Sequence, residues 1–459
     1  MKTKSQSSRP KVSPARAAAF DILLRVERDS SYASELLHSQ SFDRLSTVDH
    51  SLATELVMGV LRWRSLLDAQ IARHSSQLLA KLDLEILTAL RLGVYQLGWL
   101  DRIPARAAIN ESVELVKRAR KRSAASFVNA ILRKFSSSKS PSNQAQLAIN
   151  SDSAESLAAS SAHPLWLVER WVQAYGLDYA LRICRHNQSI PPTAIRLRSR
   201  DAEERLRAEG IELASGALLN SARIVRRGDV TNTSAFRAGL CVIQDEASQL
   251  VGALVGQGAR ILDCCAAPGG KTLIIADRNP DSNISAVDLY PHRARLLRKL
   301  LRPAAGETGN VLVIAADARH LPFAGKFDRV LADVPCSGTG TLARNPDIKW
   351  RLVLEDLADL QLRQLAILRA VMHQVADGGR LIYSTCSLER EENEDVVERA
   401  LAEDASFRIV DCGAPLEQLQ QQKELIWTDF CPLTSGIYLR TLPGVQPCDG
   451  FFAAILEKH

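Results

Sequence analysis

Apolar residues change their spacing partway along this chain, and that change restricts the fold more than any other feature. From "ARAAAFDILLRVE" to "FVNAILRKF" they recur every three or four positions, as at Phe20, Leu23 and Leu24 and again at Leu56, Val57, Val60 and Leu61. That is the period of helices with one buried stripe. Beyond about residue 240, short apolar runs take over: "ARILDCCA", "NISAVDLY", "VLVIAADAR", "FDRVLADVP" and "GRLIYSTCS". Helical stretches such as "PHRARLLRKLLR" separate them. Strands alternating with helices build a doubly wound, mostly parallel sheet, which "DGFFAAILEKH" closes as a last strand. Four regions follow: an all-α domain over 10–135, a linker over 136–162 that opens on the Ser-rich "SSSKSPSNQAQ", a small α+β module over 163–238, and an α/β domain over 239–459. In the module, "TAIRLRSR" and "ARIVRRG" read as strands and "DAEERLRAEG" as a helix. The first ten or so residues are expected to lack order, and no internal repeat is visible.

Composition narrows the setting. A chain of 459 residues, 46% hydrophobic, is long enough for two or three domains with real cores. The polar start "MKTKSQSSRPKVSPAR" does not resemble a secretion signal. No apolar run approaches the ~20 residues of a membrane span. The cytoplasm is expected, where the 9 cysteines would be reduced thiols. The net charge of +6 is uneven: residues 1–135 hold 22 Lys and Arg against 13 Asp and Glu, the rest 36 against 39. A basic front end on a nearly neutral body suits a polyanion, although a solvated helical surface would look the same.

In doubly wound sheets, ligands sit at the carboxyl ends of the strands, and four such ends carry unusual residues. In "LDCCAAPGGKT" the small Ala266, Ala267, Gly269 and Gly270 let backbone approach a ligand, Pro268 stiffens the turn, and a helix N-terminus follows. The stretch is neither G-x-G-x-x-G nor a P-loop. Asp288 ends the next strand, about where a carboxylate takes ribose hydroxyls. Asp317 and Asp333 follow the third and fourth. One such acid would ordinarily be a turn or helix cap. Three in series after a small-residue loop point to a nucleoside without phosphates, and a cationic ligand such as S-adenosylmethionine fits them best.

The cysteines divide by position. No C-x-x-C or Cys/His cluster has metal-site spacing, so no metal is expected. Cys184, Cys241, Cys264, Cys412, Cys431 and Cys448 read as small buried or inert residues, and Cys265 lines the ligand turn. Cys336 in "DVPCSGTG" and Cys386 in "STCSLEREEN" instead end strands on the cofactor's rim. A thiolate has work there if the methyl acceptor is an inert carbon such as carbon-5 of cytosine, because adding to carbon-6 makes carbon-5 nucleophilic. Lys271 is the cation at hand to favour a thiolate, and Asp333 could hydrogen-bond the protonated ring edge. These residues alone do not say which cysteine attacks.

The ordered set "CAAPGGK" at 265–271, "DVPCSGTG" at 333–340, "NPDIKW" at 345–350, "STCS" at 384–387 and "DGFF" at 449–452 resembles the NOL1/NOP2/Sun family of RNA cytosine-5 methyltransferases. Residues 10–135, through "RIPARAAINESVELVK" and "FVNAILRKF", resemble a NusB-like RNA-binding domain, and "HPLWLVERW" matches the start of the family's middle domain. The resemblance covers nearly the whole chain. It implies a Rossmann-like methyltransferase domain, Cys386 as nucleophile and Cys336 as the group assisting release of the methylated RNA. It also implies that Cys265, Ala266, Ala267, Pro268, Gly269, Gly270, Lys271, Asp288, Asp317 and Asp333 bind S-adenosylmethionine. The implied substrate is small-subunit (16S) rRNA, naked or in an assembling particle, and the implied state is a monomer. The sequence departs little: Cys264 stands where Leu is common, "ADVPC" replaces "DAPC", and Cys448 replaces a frequent Gly. Transfer RNA as substrate, or an antitermination factor with a retired catalytic domain, remain alternatives. "RARKR" at 118–122 could contact phosphate or simply end a helix favourably. Lys349 and Trp350 could touch RNA or pack beneath the site.

Overall fold

The computed structural model describes residues 12–459 apart from 30, 40, 41, 43, 139–148, 150, 151, 302–309, 429 and 430. The disorder expected at the N-terminus and most of the Ser-rich linker lie outside the described residues. The rest forms two compact units, one of residues 1–189 with 342–351 and one of 190–341 with 352–459.

The first unit is helical, as the three-to-four spacing requires. Its main helices are Pro14–Arg28, Thr47–His74, Leu84–Trp99, Ala105–Arg118 and Ala125–Ser137. Ser46 caps the longest by accepting from the Asp49 amide at 3.1 Å. Phe20, Leu56, Leu61, Leu90, Leu115 and Leu132 fill the core. Gly59 lets two helices close up, since a Cβ there would stand 1.9 Å from the Tyr95 ring. The helices Leu165–Tyr175 and Leu177–Gln188 also pack in this unit. So does the segment carrying "NPDIKW". There Lys349 is fully buried, donating to the Arg62 carbonyl at 2.8 Å, and the Trp350 indole donates to the Leu61 carbonyl at 2.5 Å. Packing accounts for Lys349, while Trp350 keeps part of its surface exposed.

The second unit holds two sheets. The smaller comprises β1 (Thr193–Leu197), β2 (Glu212–Ser215), β3 (Ala222–Arg227) and β4 (Cys241–Ile243), antiparallel in the order β2-β3-β1-β4. With the helix Ala202–Ala208 it buries Ile195, Leu206, Ile211 and Leu213.

The larger sheet is mixed. Its parallel part is β5 (Arg260–Asp263), β6 (Asn283–Asp288), β7 (Val311–Ala315), β8 (Phe327–Asp333) and β9 (Val375–Thr385) in the order β7-β6-β5-β8-β9. The chain runs outward through β5, β6 and β7, then returns to the other side of β5 for β8 and β9. The switch therefore falls between β5 and β8, where such sheets place their ligands. Beyond β9 the sheet turns antiparallel, through β10 (Phe407–Val410), β11 (Thr434–Ser435), β12 (Tyr438–Thr441) and β13 (Phe451–Lys458). The central strands read as continuous apolar runs because helices cover both faces: Ile261, Leu262, Val330, Leu331, Leu381 and Ile382 are fully buried. No described helix is long and apolar enough to cross a membrane.

Candidate active site

The strand order sets the expected site residues along one edge: Asp333 ends β8, the 264–270 loop leaves β5, Asp288 ends β6 and Asp317 lies just past β7. The loop is tied to its neighbour strand. The Ala266 amide donates to the Val287 carbonyl at 2.8 Å and the Ala267 amide to Asp288 Oδ2 at 3.2 Å. Asp288 Oδ1 accepts from the Tyr290 amide at 3.1 Å. The loop turns into the helix Gly270–Arg278 through Gly269, whose φ of +118° is open to glycine and strained for other residues. A Cβ at Gly269 would also press on Leu297 Cδ1 at 2.5 Å. Asp317 is clamped by Arg319, with Nη2 to Oδ2 at 2.6 Å and the Arg319 amide to Oδ1 at 2.9 Å. These bonds hold its carboxyl below the usual range.

Asp333 is the hinge of the site. It stands beside Ser384 in the parallel register of β8 and β9. Its Oδ1 accepts from Ser384 Oγ at 2.6 Å and its Oδ2 from the Lys271 ammonium at 2.7 Å. Lys271 also rests over the Phe451 ring, 4.8 Å from its centroid. Its described partners are thus a carboxylate and an aromatic face rather than a thiol.

The register carries the two cysteines together. Their sulfurs are 3.3 Å apart, and both are partly exposed. The Cys336 thiol is pushed well up, first by its hydrogen bond with Cys386, then by burial. The contact thus makes Cys336 the harder thiol to ionise while Cys386 is next to it.

Sequence reasoning missed what locks this pair. Glu392, fully buried, accepts from the Ser337 amide and from Gln364 Nε2, each at 2.8 Å, and from the hydroxyls of Ser337 and Ser387. Each of those serines follows one of the two cysteines, so one carboxylate ties both turns. Backbone bonds reinforce it: Gly340 N to Cys386 O and Gly450 N to Gly340 O, each at 2.8 Å. Glu392 sits among five acids in "SLEREENED", and nothing in their spacing marks the one that turns inward. Asp263 was also passed over. It is buried and accepts from Thr272 Oγ1 at 2.7 Å, its other oxygen has no described partner, and burial pushes its carboxyl up to about 7.

The residues fit a sulfonium nucleoside. Asp288, Asp317 and Asp333 line up along the strand ends as three carboxylates, and the cations beside them are paired to them: Arg319 to Asp317 at 2.6 Å and Lys271 to Asp333 at 2.7 Å. Cys184, Cys241, Cys264, Cys412 and Cys448 are buried, and Cys265, half-buried, remains in the loop.

Known proteins were compared with this chain. Residues 254–457 match the family model for the 16S rRNA methyltransferase RsmB/F, 13–137 that for the NusB family, and 163–231 that for the RsmF/B-like ferredoxin-like domain. A Bacillus subtilis protein named "Probable ribosomal RNA small subunit methyltransferase B" is 34% identical, over 98% of this chain and 99% of its own. The Pseudomonas syringae ribosomal RNA small subunit methyltransferase B is 32% identical over 89% and 90%. A solved methyltransferase homologue from Pyrococcus horikoshii shares 27% identity with a TM-score of 0.54, covering 70% of this chain and all of that one. The crystallised protein PH0851 has the same fold over 98% of this chain, with a TM-score of 0.77 at 23% identity. This chain belongs to the RsmB/F family of S-adenosylmethionine-dependent rRNA methyltransferases, in the Sun/Fmu group that carries a NusB-like N-terminal domain.

Proposed function

We propose that the chain methylates carbon-5 of a cytosine in 16S rRNA through a temporary bond between Cys386 and carbon-6 of the base. The observation that carries this reading is the pair of sulfurs 3.3 Å apart, beside a lysine-bound carboxylate at the switch point of the sheet. The loop 265–271 with Asp288, Asp317 and Asp333 would hold S-adenosylmethionine, which supplies a methyl group on a positively charged sulfur. Cytosine carbon-5 is too weak a nucleophile to take that methyl directly. Cys386 as thiolate forms a bond to carbon-6, the ring electrons move toward carbon-5, and Asp333 accepts a hydrogen bond from the protonated ring edge. Carbon-5 then bonds the methyl carbon. To finish, a base takes the proton from carbon-5 while the sulfur–carbon bond breaks, and the aromatic ring returns.

Cys336 is suited to that last step by timing. Its thiol is pushed up first by the hydrogen bond with Cys386. Once that sulfur is bonded to carbon it is no longer a titratable neighbour, and Cys336 ionises more easily. The group that could not compete as nucleophile becomes available as base, and the methylated RNA is released. The relatives named for ribosomal RNA support the substrate, and the NusB-like domain would grip it electrostatically. We infer a monomer acting in the cytoplasm, where its thiols stay reduced. The complete set of acids, lysine and thiols speaks against a retired catalytic domain.

The test uses the full chain, transcribed 16S rRNA and labelled S-adenosylmethionine. Cys386→Ala should abolish methyl incorporation. Cys336→Ala should accumulate an RNA–protein adduct that survives a denaturing gel. Full activity in both variants would sink the thiolate mechanism.

A further inference from the structure

Within the second unit a cavity of about 680 Å³ opens between the small sheet and the 265–271 loop. The 265–271 loop and Asp333 line one part of it, while Asp288 and Asp317 are not among its lining. It therefore reaches the proposed reacting centre and stops short of the two acids proposed for the nucleoside end of the methyl donor. Its outer walls combine three chemistries. Phe236 and Leu296 offer apolar surface, and Leu296 is 57% exposed. Arg237 and Lys299 are exposed cations. Arg237 donates to the Asn232 carbonyl at 3.0 Å, and no carboxylate among the described residues pairs with either. Gln244 is 8% exposed, its Nε2 donates to Ser248 Oγ at 3.1 Å, and its Oε1 is buried without a partner.

A flat apolar surface, unneutralised cations and an unspent buried amide oxygen suit a nucleotide: a base to stack, a phosphate to neutralise and an amine edge to read. An enzyme that flips a base out of its strand must also hold the nucleotides beside it. We propose that this cavity binds the nucleotide flanking the target base in single-stranded RNA. Phe236 takes its base, Gln244 reads that base's edge, and Arg237 and Lys299 take the phosphates. The proposal rests on the RNA reading above but not on the atom methylated.

The experiment measures binding without turnover, using the full chain, transcribed 16S rRNA and, separately, S-adenosylhomocysteine. Arg237→Glu with Lys299→Glu is compared with a matched reversal, Arg205→Glu with Arg226→Glu, outside the cavity's lining; all four residues are exposed. The cavity pair should weaken RNA binding at least tenfold. It should also flatten the dependence of log K on log salt by about 1.4, two single-strand phosphate contacts at ~0.7 each. The matched pair should do neither, and S-adenosylhomocysteine affinity should hold in both. Phe236→Ala should weaken RNA binding without changing the salt slope. Equal losses in the two charge-reversal pairs, an unchanged RNA affinity, or a parallel loss of S-adenosylhomocysteine binding would each overturn the assignment. If a methyl group proved to go to some atom other than carbon-5, these binding results would stand unaltered.

Discussion

Cys336 and Cys386 are 50 residues apart in sequence, yet their sulfurs are 3.3 Å apart. The cause is the register of two neighbouring parallel strands. Asp333 pairs with Ser384, so the turn after β8 and the turn after β9 leave the sheet side by side. Glu392 then binds the serine following each cysteine. The spacing is a property of the sheet edge, and it makes Cys386 the main influence on the Cys336 thiol.

That closeness has a redox consequence. Diamide, which takes two electrons and two protons from a pair of thiols, should join Cys336 to Cys386 and stop methyl transfer. Dithiothreitol should restore it. Peptide mass mapping checks this: the cross-link should join the two cysteine peptides, with two hydrogens lost. A map in which diamide leaves both thiols free, or joins either to a different cysteine, would refute the pairing.

Glu392→Gln tests the lock. The amide would turn an N–H₂ toward donors that now face a carboxylate, leaving buried groups unmatched. We expect a loss of about 2–3 kcal/mol in unfolding free energy and a fall in kcat at unchanged affinity for S-adenosylhomocysteine. Urea unfolding and steady-state kinetics measure the two effects, and a variant with wild-type kcat would show that the lock does not position the sulfurs.

Gly340 has no room for a side chain. A Cβ would lie 2.2 Å from the Gly450 carbonyl oxygen and 2.8 Å from that of Cys386. Because backbone cannot swing aside as a side chain can, Gly340→Ala should cost about 2–3 kcal/mol and displace the Cys386 turn. Thermal unfolding together with the rate of thiol alkylation would reveal both.

Asp263 makes stability depend on pH. Its folded value of about 7 lies above the ordinary carboxylate value of about 3.9. Between these values the folded state holds a proton that the unfolded state has lost, so stability falls as pH rises through that window and levels off above about 7. Asp263→Asn should remove the slope and be the more stable at pH 8, by roughly 2–4 kcal/mol. Urea midpoints at pH 5, 6, 7 and 8 decide it, and parallel curves for both proteins would contradict the assignment.

Lys349 acts in the opposite sense within the first unit. Burial holds its ammonium well below the ordinary lysine value, so the unfolded chain binds the extra proton and stability rises with pH toward about 10.4. Lys349→Met, which removes the charge at similar volume, should be neutral or stabilising at pH 7 and should weaken that rise. A large destabilisation at pH 9 would show that the bond to the Arg62 carbonyl matters more than the burial of charge.

The helical first unit, β1 and β3 of the small sheet, β5 to β9 and β13 of the large one, and the small-residue loop could be read from the residues, because hydrophobic period and backbone permissiveness act over a few positions. The short strands β2 and β4 of the small sheet could not, nor could β10, β11 and β12, which with β13 make the large sheet mixed rather than mostly parallel. The thiols were marked by their places at strand ends. Glu392 and Asp263 were not, since whether an acid turns inward depends on partners tens of residues away. Lys349 left two readings open, and only the packing around Arg62 chose between them.

By itself the sequence determined the helical front, the central strands and which groups could do chemistry at the strand ends, because each of those properties is local. Only the tertiary structure decided that two sulfurs meet, that the Cys336 thiol is made harder to ionise by its neighbour, and that a single buried carboxylate holds both turns. Distances between groups far apart in the chain are set by strand order and register, and those exist only once the sheet has formed.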